Sequence, residues 1–286
     1  MPLSAILLVL TSAALHALWN LMAKKVGGGL PFVLLTGVVS AVIYLPIVVP
    51  VFVIAPPSLS VADAAIIAGG ACIHMTYFIV LMRGYRSGDM SVVYPLARGT
   101  GPALTMVAAY LLFEEIPSPG AIIGMVLIGL GVVALSAPLW RRGVHVSGAA
   151  VFYALLTGVL IALYTTFDKR IMVGVAILPI LYDWLAGAVR TVALAPLLWK
   201  HRKEMLAVWH QHRRRVLFIC TVSPAGYILM LSAMKLAPVS SIAPLRETSI
   251  LFGAFLGVMV LGEADAQRRL TAAALMAVGA LSIALW

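Results

Sequence analysis

Ten apolar runs, each about 20 residues long, follow one another along this chain with short polar or turn-forming breaks between them. They cover approximately 3–23, 31–53, 62–82, 90–112, 119–139, 147–167, 177–199, 215–235, 239–261 and 268–286. About 20 apolar residues are what a helix rising ~1.5 Å per residue needs to cross a ~30 Å hydrocarbon core. The breaks carry helix-ending chemistry, as in Lys24-Lys25-Val26-Gly27-Gly28-Gly29, Ala55-Pro56-Pro57-Ser58, Arg86-Ser87-Gly88-Asp89 and Ile116-Pro117-Ser118-Pro119-Gly120. Ser118 before Pro119 reads as the N-cap and first helical residue of the fifth run. A transmembrane barrel needs ~10-residue strands of alternating polarity, which these uninterrupted runs do not supply. The expected fold class is an all-α integral membrane protein with ten transmembrane helices.

Composition points the same way. Hydrophobic residues make up 63% of the 286 positions and charged residues 10%, against ~45–50% and ~25% in soluble domains. A soluble enzyme, a disordered chain and a disulfide scaffold are thereby excluded. Cys72 and Cys220 sit in apolar runs without a Cys or His partner at metal-ligand spacing, so no metal or cofactor is expected. The first run has no Lys or Arg before it and is followed by Lys24-Lys25, the reverse of a signal peptide, and reads as a retained helix.

The chain also repeats itself. Tyr94-Pro95-Leu96-Ala97-Arg98 and Ala243-Pro244-Leu245-Arg246-Glu247 lie 149 residues apart, and the same offset lays Arg86 on Lys235, Ser91 on Ser240 and Glu114 on Glu263. An offset of 145 lays Ala17-Leu18-Trp19-Asn20 and Lys24-Lys25 on Ala162-Leu163-Tyr164-Thr165 and Lys169-Arg170. Two five-helix copies are expected, 1–140 and 147–286. Five is odd, so the second copy enters the membrane from the opposite side, an inverted repeat of the kind secondary transporters use.

Charge tests the inversion. The odd-numbered loops (1–2, 3–4, 5–6, 7–8 and 9–10) hold fourteen basic residues, among them Lys24, Lys25, Arg83, Arg141, Arg142, Arg268 and Arg269. The other loops hold three, Lys169, Arg170 and Lys235. Basic loops stay cytoplasmic, which places both termini outside in a multi-pass protein of the plasma (inner) membrane. Loops 2–3 and 4–5 carry no Lys or Arg, whereas their repeat equivalents carry eight. The charge changes side between copies, as inversion requires.

With His16-Ala17-Leu18-Trp19-Asn20 in helix one, Pro-Leu near the start of helices four and nine, endings at Glu114 and Glu263, and Gly-rich helices five and ten, the chain resembles the drug/metabolite transporter superfamily, in its EamA-like ten-helix branch. The resemblance spans essentially the whole chain. It implies a basket of helices around a central cavity and export or exchange of small metabolites such as amino acids. It also implies cytoplasmic termini, opposite to the charge count, which is retained here.

Ionisable groups inside hydrocarbon each need a reason, since one at a helix centre costs about 2.5–3.5 kcal/mol or more. Arg98, Arg190, Arg246 and Glu247 stand out. Arg98 and Arg246 lie about seven residues into their runs, roughly 10 Å deep, and each follows a proline, Pro95 or Pro244. One reading is a guanidinium pair facing the cavity and binding a carboxylate or phosphoryl group. The other is a buried network neutralised by Glu247 or Asp183. Arg190 lies seven residues after Asp183, too far for a direct bridge along the helix. His16, Trp19 and Asn20 offer donors and an aromatic wall on helix one, with interhelical hydrogen bonding as the alternative. His74, Tyr77 and Tyr94 are further lining candidates.

Gly120-x-x-x-Gly124 and Gly253-x-x-x-Gly257 are small-residue seams for close helix packing, inside the bundle or in a homodimer. Lys200–Arg215 alternates basic residues with Met205, Leu206, Val208 and Trp209, as a helix lying on anionic headgroups would. A loop this short is too slight for nucleic acid. The expected function is secondary transport of a small anionic or zwitterionic metabolite, such as an amino acid or organic acid, across the plasma membrane by alternating access, in the direction of export, and not enzymatic. The alternative weighed is an integral membrane enzyme acting on a lipid-linked substrate, but no P-loop, HExxH or paired-carboxylate motif is present.

Overall fold

The computed structural model describes residues 1–26, 29–87, 90–140, 147–261 and 266–286. All ten apolar runs are helical within it, and two are divided. The first copy forms α1 (Leu3–Val26), α2 (Leu30–Ile54), α3 (Val61–Ser87), α4 (Met90–Phe113) and α5 (Pro119–Trp140). The second forms α6 (Gly148–Gly174), α7 (Pro179–Ala193) with the short α8 (Ala195–Lys200), α9 (Arg202–Met234), α10 (Val239–Arg246) with α11 (Thr248–Leu261), and α12 (Ala266–Leu285). Among the described residues, six helices are long and apolar enough to cross a membrane by length and composition.

The divisions follow from the sequence. Pro196 cannot donate into the preceding turn, and the backbone turns out of helical geometry at Leu194, between α7 and α8. Pro244 likewise removes a donor, and the chain tightens at Glu247, where the N–H of Glu247 bonds the carbonyl of Pro244 only three residues back. Ser118 caps α5 as expected, accepting from the amide of Ala121 at 3.1 Å. Ser147 does the same for α6 through Ala150.

Helix packing carries the repeat into three dimensions. If each span of the first copy is exchanged for its equivalent in the second, the principal contacts map onto one another. The α4–α6 contact becomes α1 against α10 and α11; α3–α6 becomes α1–α9; and α2–α9 becomes α3–α7. The pairs α5–α12, α2–α7 and α4–α10 map onto themselves and so lie on the pseudo-two-fold axis. At α5–α12 the Gly120/Gly124 seam is spent inside the chain. A Cβ on Gly120 would come within 2.5 Å of the Ser282 carbonyl oxygen, and one on Gly124 within 2.5 Å of that of Gly279. Gly253 has nothing comparable near it.

The core is distributed unevenly across the membrane. Let the basic face be the one bearing the loops after α1, α3, α5, α8 and α11. Toward the opposite face one continuous apolar cluster joins the ends of several helices, including Val9, Val48, Ile67, Ile171, Leu181 and Met234. Toward the basic face there are two separate packets. One gathers Phe32, Leu35, Val216 and Ile219, with Trp19, Met205, Val208 and Trp209 packed on it. The other gathers Val93, Ala150 and Ala154. The apolar side of the basic segment Lys200–Arg215 is thus partly covered by α1 and α2, while Leu206 stays exposed.

One sequence reading is corrected at the opposite face. Lys169 was expected in a loop, but α6 runs to Gly174 and buries it. Its ammonium donates to the carbonyls of Met234 (2.7 Å) and Ala237 (2.9 Å), free acceptors at the end of α9, and sits 3.8 Å from Glu115. Glu115 in turn accepts from the amides of Val239 and Ser240, the free donors opening α10. Lys235 donates to the carbonyl of Ile177. Polar ties therefore fasten the rim of the apolar cluster. Arg141, Arg142 and Glu263 lie outside the described residues, as do the side chains of Lys24, Arg268 and Arg269.

Candidate substrate cavity

Beside the packet of Phe32 and Ile219 lies a cavity of about 500 Å³, walled by α1, α2, α3, α7, α8 and α9, with Arg246 reaching in from α10. Its lining runs from Tyr227 and His74 at depth to Phe32 and Leu198 near the basic face. The continuous apolar cluster separates it from the opposite face. The volume falls within the ~300–1,000 Å³ range of small-molecule sites.

Six of the residues expected from sequence line this one cavity: His16, Trp19, His74, Tyr77, Arg190 and Arg246. His16 meets the Trp19 ring edge-on at 5.1 Å between centroids. Arg246 donates through Nη2 to the Tyr164 hydroxyl at 3.3 Å, and Tyr164 stacks on His74 at 4.3 Å. Tyr77 packs edge-on against the same tyrosine. Arg190 and Asp183 both face the cavity, two turns apart with Gly187 between them, and form no direct ion pair.

Three of the others, Arg98, Glu247 and Asn20, do not join this wall. Arg98 and Glu247 are buried and paired with each other, Nε to Oε2 at 3.2 Å, and Arg98 also reaches Ser249. The arginines considered as a pair are therefore divided: Arg246 faces the cavity and Arg98 belongs to a buried network. The repeat explains the division. An offset of 149 lays Arg98 on Glu247, and α4–α10 is a contact on the pseudo-two-fold axis, where equivalent positions meet. Asn20 bonds back along its own helix to the carbonyl of His16 at 2.7 Å. The side chain of Tyr94 lies outside the described residues.

Sequence reasoning passed over Asp168. It is fully buried and accepts hydrogen bonds from the hydroxyl of Tyr182 on Oδ1, at 2.5 Å, and from that of Tyr227 on Oδ2. His74 Nε2 lies 3.3 Å from Oδ2 and 3.1 Å from the Tyr227 oxygen. Gly70 leaves room for this arrangement, since a Cβ there would come within 3.0 Å of the Tyr182 hydroxyl. In sequence Asp168 stands beside Lys169-Arg170 and reads as part of a charged loop. Its signal is helical spacing: Ile161, Tyr164, Asp168 and Ile171 share one face.

The described residues form an all-helical, multi-pass fold of two related halves around a mostly apolar cavity that Arg190, Arg246 and Asp183 enter. The EamA-like transporter family model matches the chain twice, over residues 3–137 and 148–285. The chain belongs to the EamA-like transporter family, within the drug/metabolite transporter superfamily. A crystal structure of a protein 20% identical in sequence superposes with a TM-score of 0.74, covering 99% of this chain and 98% of that one, and shows the same fold. None of the curated proteins matches the sequence.

Proposed function

We propose that this transporter moves a small zwitterionic or anionic metabolite, an amino acid or organic acid, across the plasma membrane by alternating access. The observation that carries the reading is the charge arrangement of the cavity. Arg246 and Arg190 present two cations and Asp183 one anion, on walls otherwise made of Trp19, Phe32, Tyr77 and other apolar groups. A carboxylate suits a guanidinium, whose planar fork accepts both oxygens. An ammonium suits Asp183, and the aromatic surface suits an apolar body.

Alternating access draws support from the uneven core. One face is sealed by a continuous apolar cluster and the other is parted into two packets. Because the halves are related by pseudo-symmetry, exchanging their conformations would seal the basic face and part the opposite one. We place the basic face in the cytoplasm, with the termini outside. The burial of Lys169 leaves Arg170 and Lys235 as the exposed cations of the opposite loops, which strengthens the asymmetry.

The test is counterflow in proteoliposomes preloaded with unlabelled metabolite, using a panel of labelled L-amino acids and small carboxylic acids. Arg246→Ala is expected to abolish protein-dependent exchange of the active compound. Absence of exchange across the panel, or full activity in Arg246→Ala, overturns the reading.

A further inference from the structure

We propose that His74 and Asp168 form a proton-binding site coupled to the anion held at Arg246, making the carrier a proton symporter; this rests on the transport reading above. The starting point is hydrogen counting. Each tyrosine hydroxyl has one proton to give, and those of Tyr182 and Tyr227 both go to Asp168. The Tyr227 oxygen is then left as an acceptor toward His74 Nε2, 3.1 Å away, so that nitrogen carries a hydrogen. Nδ1 of His74 is the position at which the cluster gains or loses one further proton. The imidazole and the carboxylate meet at Nε2 and Oδ2, 3.3 Å apart.

A buried carboxylate needs a compensating positive charge or a proton. Lys169, the next residue, does not provide it, since its ammonium turns to Glu115 and the α9 carbonyls. His74 is the adjacent group that can, and its side chain is 15% exposed while that of Asp168 is 1%. His74 and Tyr227 line the cavity, so a proton reaches the pair along the substrate's own path. Both Asp168 oxygens are engaged by O–H and N–H donors.

The surrounding charges set the sign of coupling. From α7, Asp183 and Arg190 bring opposite charges to the cavity wall. From α1 and α3, His16 and Tyr77 line it, and behind them Arg98 and Glu247 neutralise one another. The unmatched neighbour is Arg246. It bonds the hydroxyl of Tyr164, whose ring stacks on His74, so a protonated His74 and Arg246 are two cations on one tyrosine. An anion at Arg246 relieves their repulsion and favours the proton, and by reciprocity the proton favours the anion. The two bind together and are carried together.

Asp168 also connects the site to the closed face. Its bonds tie α6 to α7 and α9, and Tyr182, Ile171 and Met230 beside it belong to the sealing cluster. Taking up the proton lowers the negative charge that draws both hydroxyls inward. The loaded carrier therefore holds its seal less firmly than the empty one.

The experiment uses the full-length protein in proteoliposomes with an equimolar mixture of labelled L-amino acids and three- to six-carbon carboxylic acids as probe. Counterflow at equal pH is compared with accumulation under an imposed pH gradient, and a trapped pH dye follows protons. For one proton per anion, accumulation rises about tenfold per pH unit. In Asp168→Asn the ratio of gradient-driven to equal-pH accumulation is expected to fall to about one. His74→Gln supplies the same reading if the first variant folds poorly. Counterflow in the parent without any response to the gradient overturns the coupling and leaves the transport reading standing. A full gradient response in either variant overturns the assignment of the site. No counterflow in the parent overturns the transport reading and this inference with it.

Discussion

Arg246 and Arg98 show how two arginines at similar depth acquire different work. Arg98 sits beside a carboxylate, on an axis that brings equivalent positions together, and its charge is spent internally. Arg246 touches a neutral hydroxyl and faces open space, so its charge is available to a ligand. Removing one partner of a buried ion pair strands the other at a cost of about 3–5 kcal/mol. Arg98→Met is therefore expected to lower the thermal midpoint in detergent sharply, and the exchange Arg98→Glu with Glu247→Arg to recover much of the loss. Arg246→Ala should leave the midpoint nearly unchanged and remove ligand-induced stabilisation, an effect of about 1.5–3 kcal/mol for charged hydrogen bonds. Thermal shift with and without the active compound reads both. If Arg98→Met also abolished ligand stabilisation at an unchanged midpoint, the division of labour would be wrong.

Among the elements, the α5–α12 pair is the most closely fitted. Gly124 and Gly279 let backbones approach until each glycine sits against the other's carbonyl oxygen. Backbone cannot yield as a side-chain tip can, so Gly124→Leu is expected to destabilise strongly and to lower the yield of folded protein. Gly129, on the same helix, has nothing within 4 Å of the point a Cβ would occupy. Gly129→Ala should be neutral or stabilising by up to about 1 kcal/mol from helix propensity. Size-exclusion profiles and thermal midpoints distinguish the two, and equal behaviour would show that the seam does not bear packing. Helix boundaries illustrate the limits of hydropathy. The sixth run fades near residue 167, yet α6 continues to Gly174 because Asp168 and Lys169 find partners inside the bundle. The breaks at Leu194 and Glu247 follow prolines plain in the sequence, but their depth is fixed by neighbouring helices.

For the molecule as a whole, the consequence is one accessible face. Thr191 lines the cavity, whereas Val48 is buried in the sealing cluster. After replacement of Cys72 and Cys220, Thr191→Cys is expected to react with a membrane-impermeant maleimide in inside-out vesicles and not in intact cells. Val48→Cys should react in neither. Labelling of Thr191→Cys from outside would reverse the proposed orientation, and labelling of Val48→Cys would show that the opposite face opens readily. The active compound, once known, should slow the Thr191→Cys reaction by occupying the cavity.

Hydropathy, turn chemistry and the repeat were enough to specify a ten-run helical membrane protein in two related halves. Such signals are local or periodic, and the membrane permits few alternatives for an apolar run. They also brought forward six residues that do share one cavity wall, since a polar group in hydrocarbon is conspicuous in any sequence. What each polar group does was decided by tertiary structure. Arg98 meets Glu247, Asn20 folds back on His16, and Asp168 draws two tyrosines and a histidine from three other helices. Arg98 and Glu247 stand 149 positions apart, and Asp168 and His74 stand 94 apart. The free energy of a buried charge depends on which group stands a few ångströms away, and that distance exists only once the helices have packed.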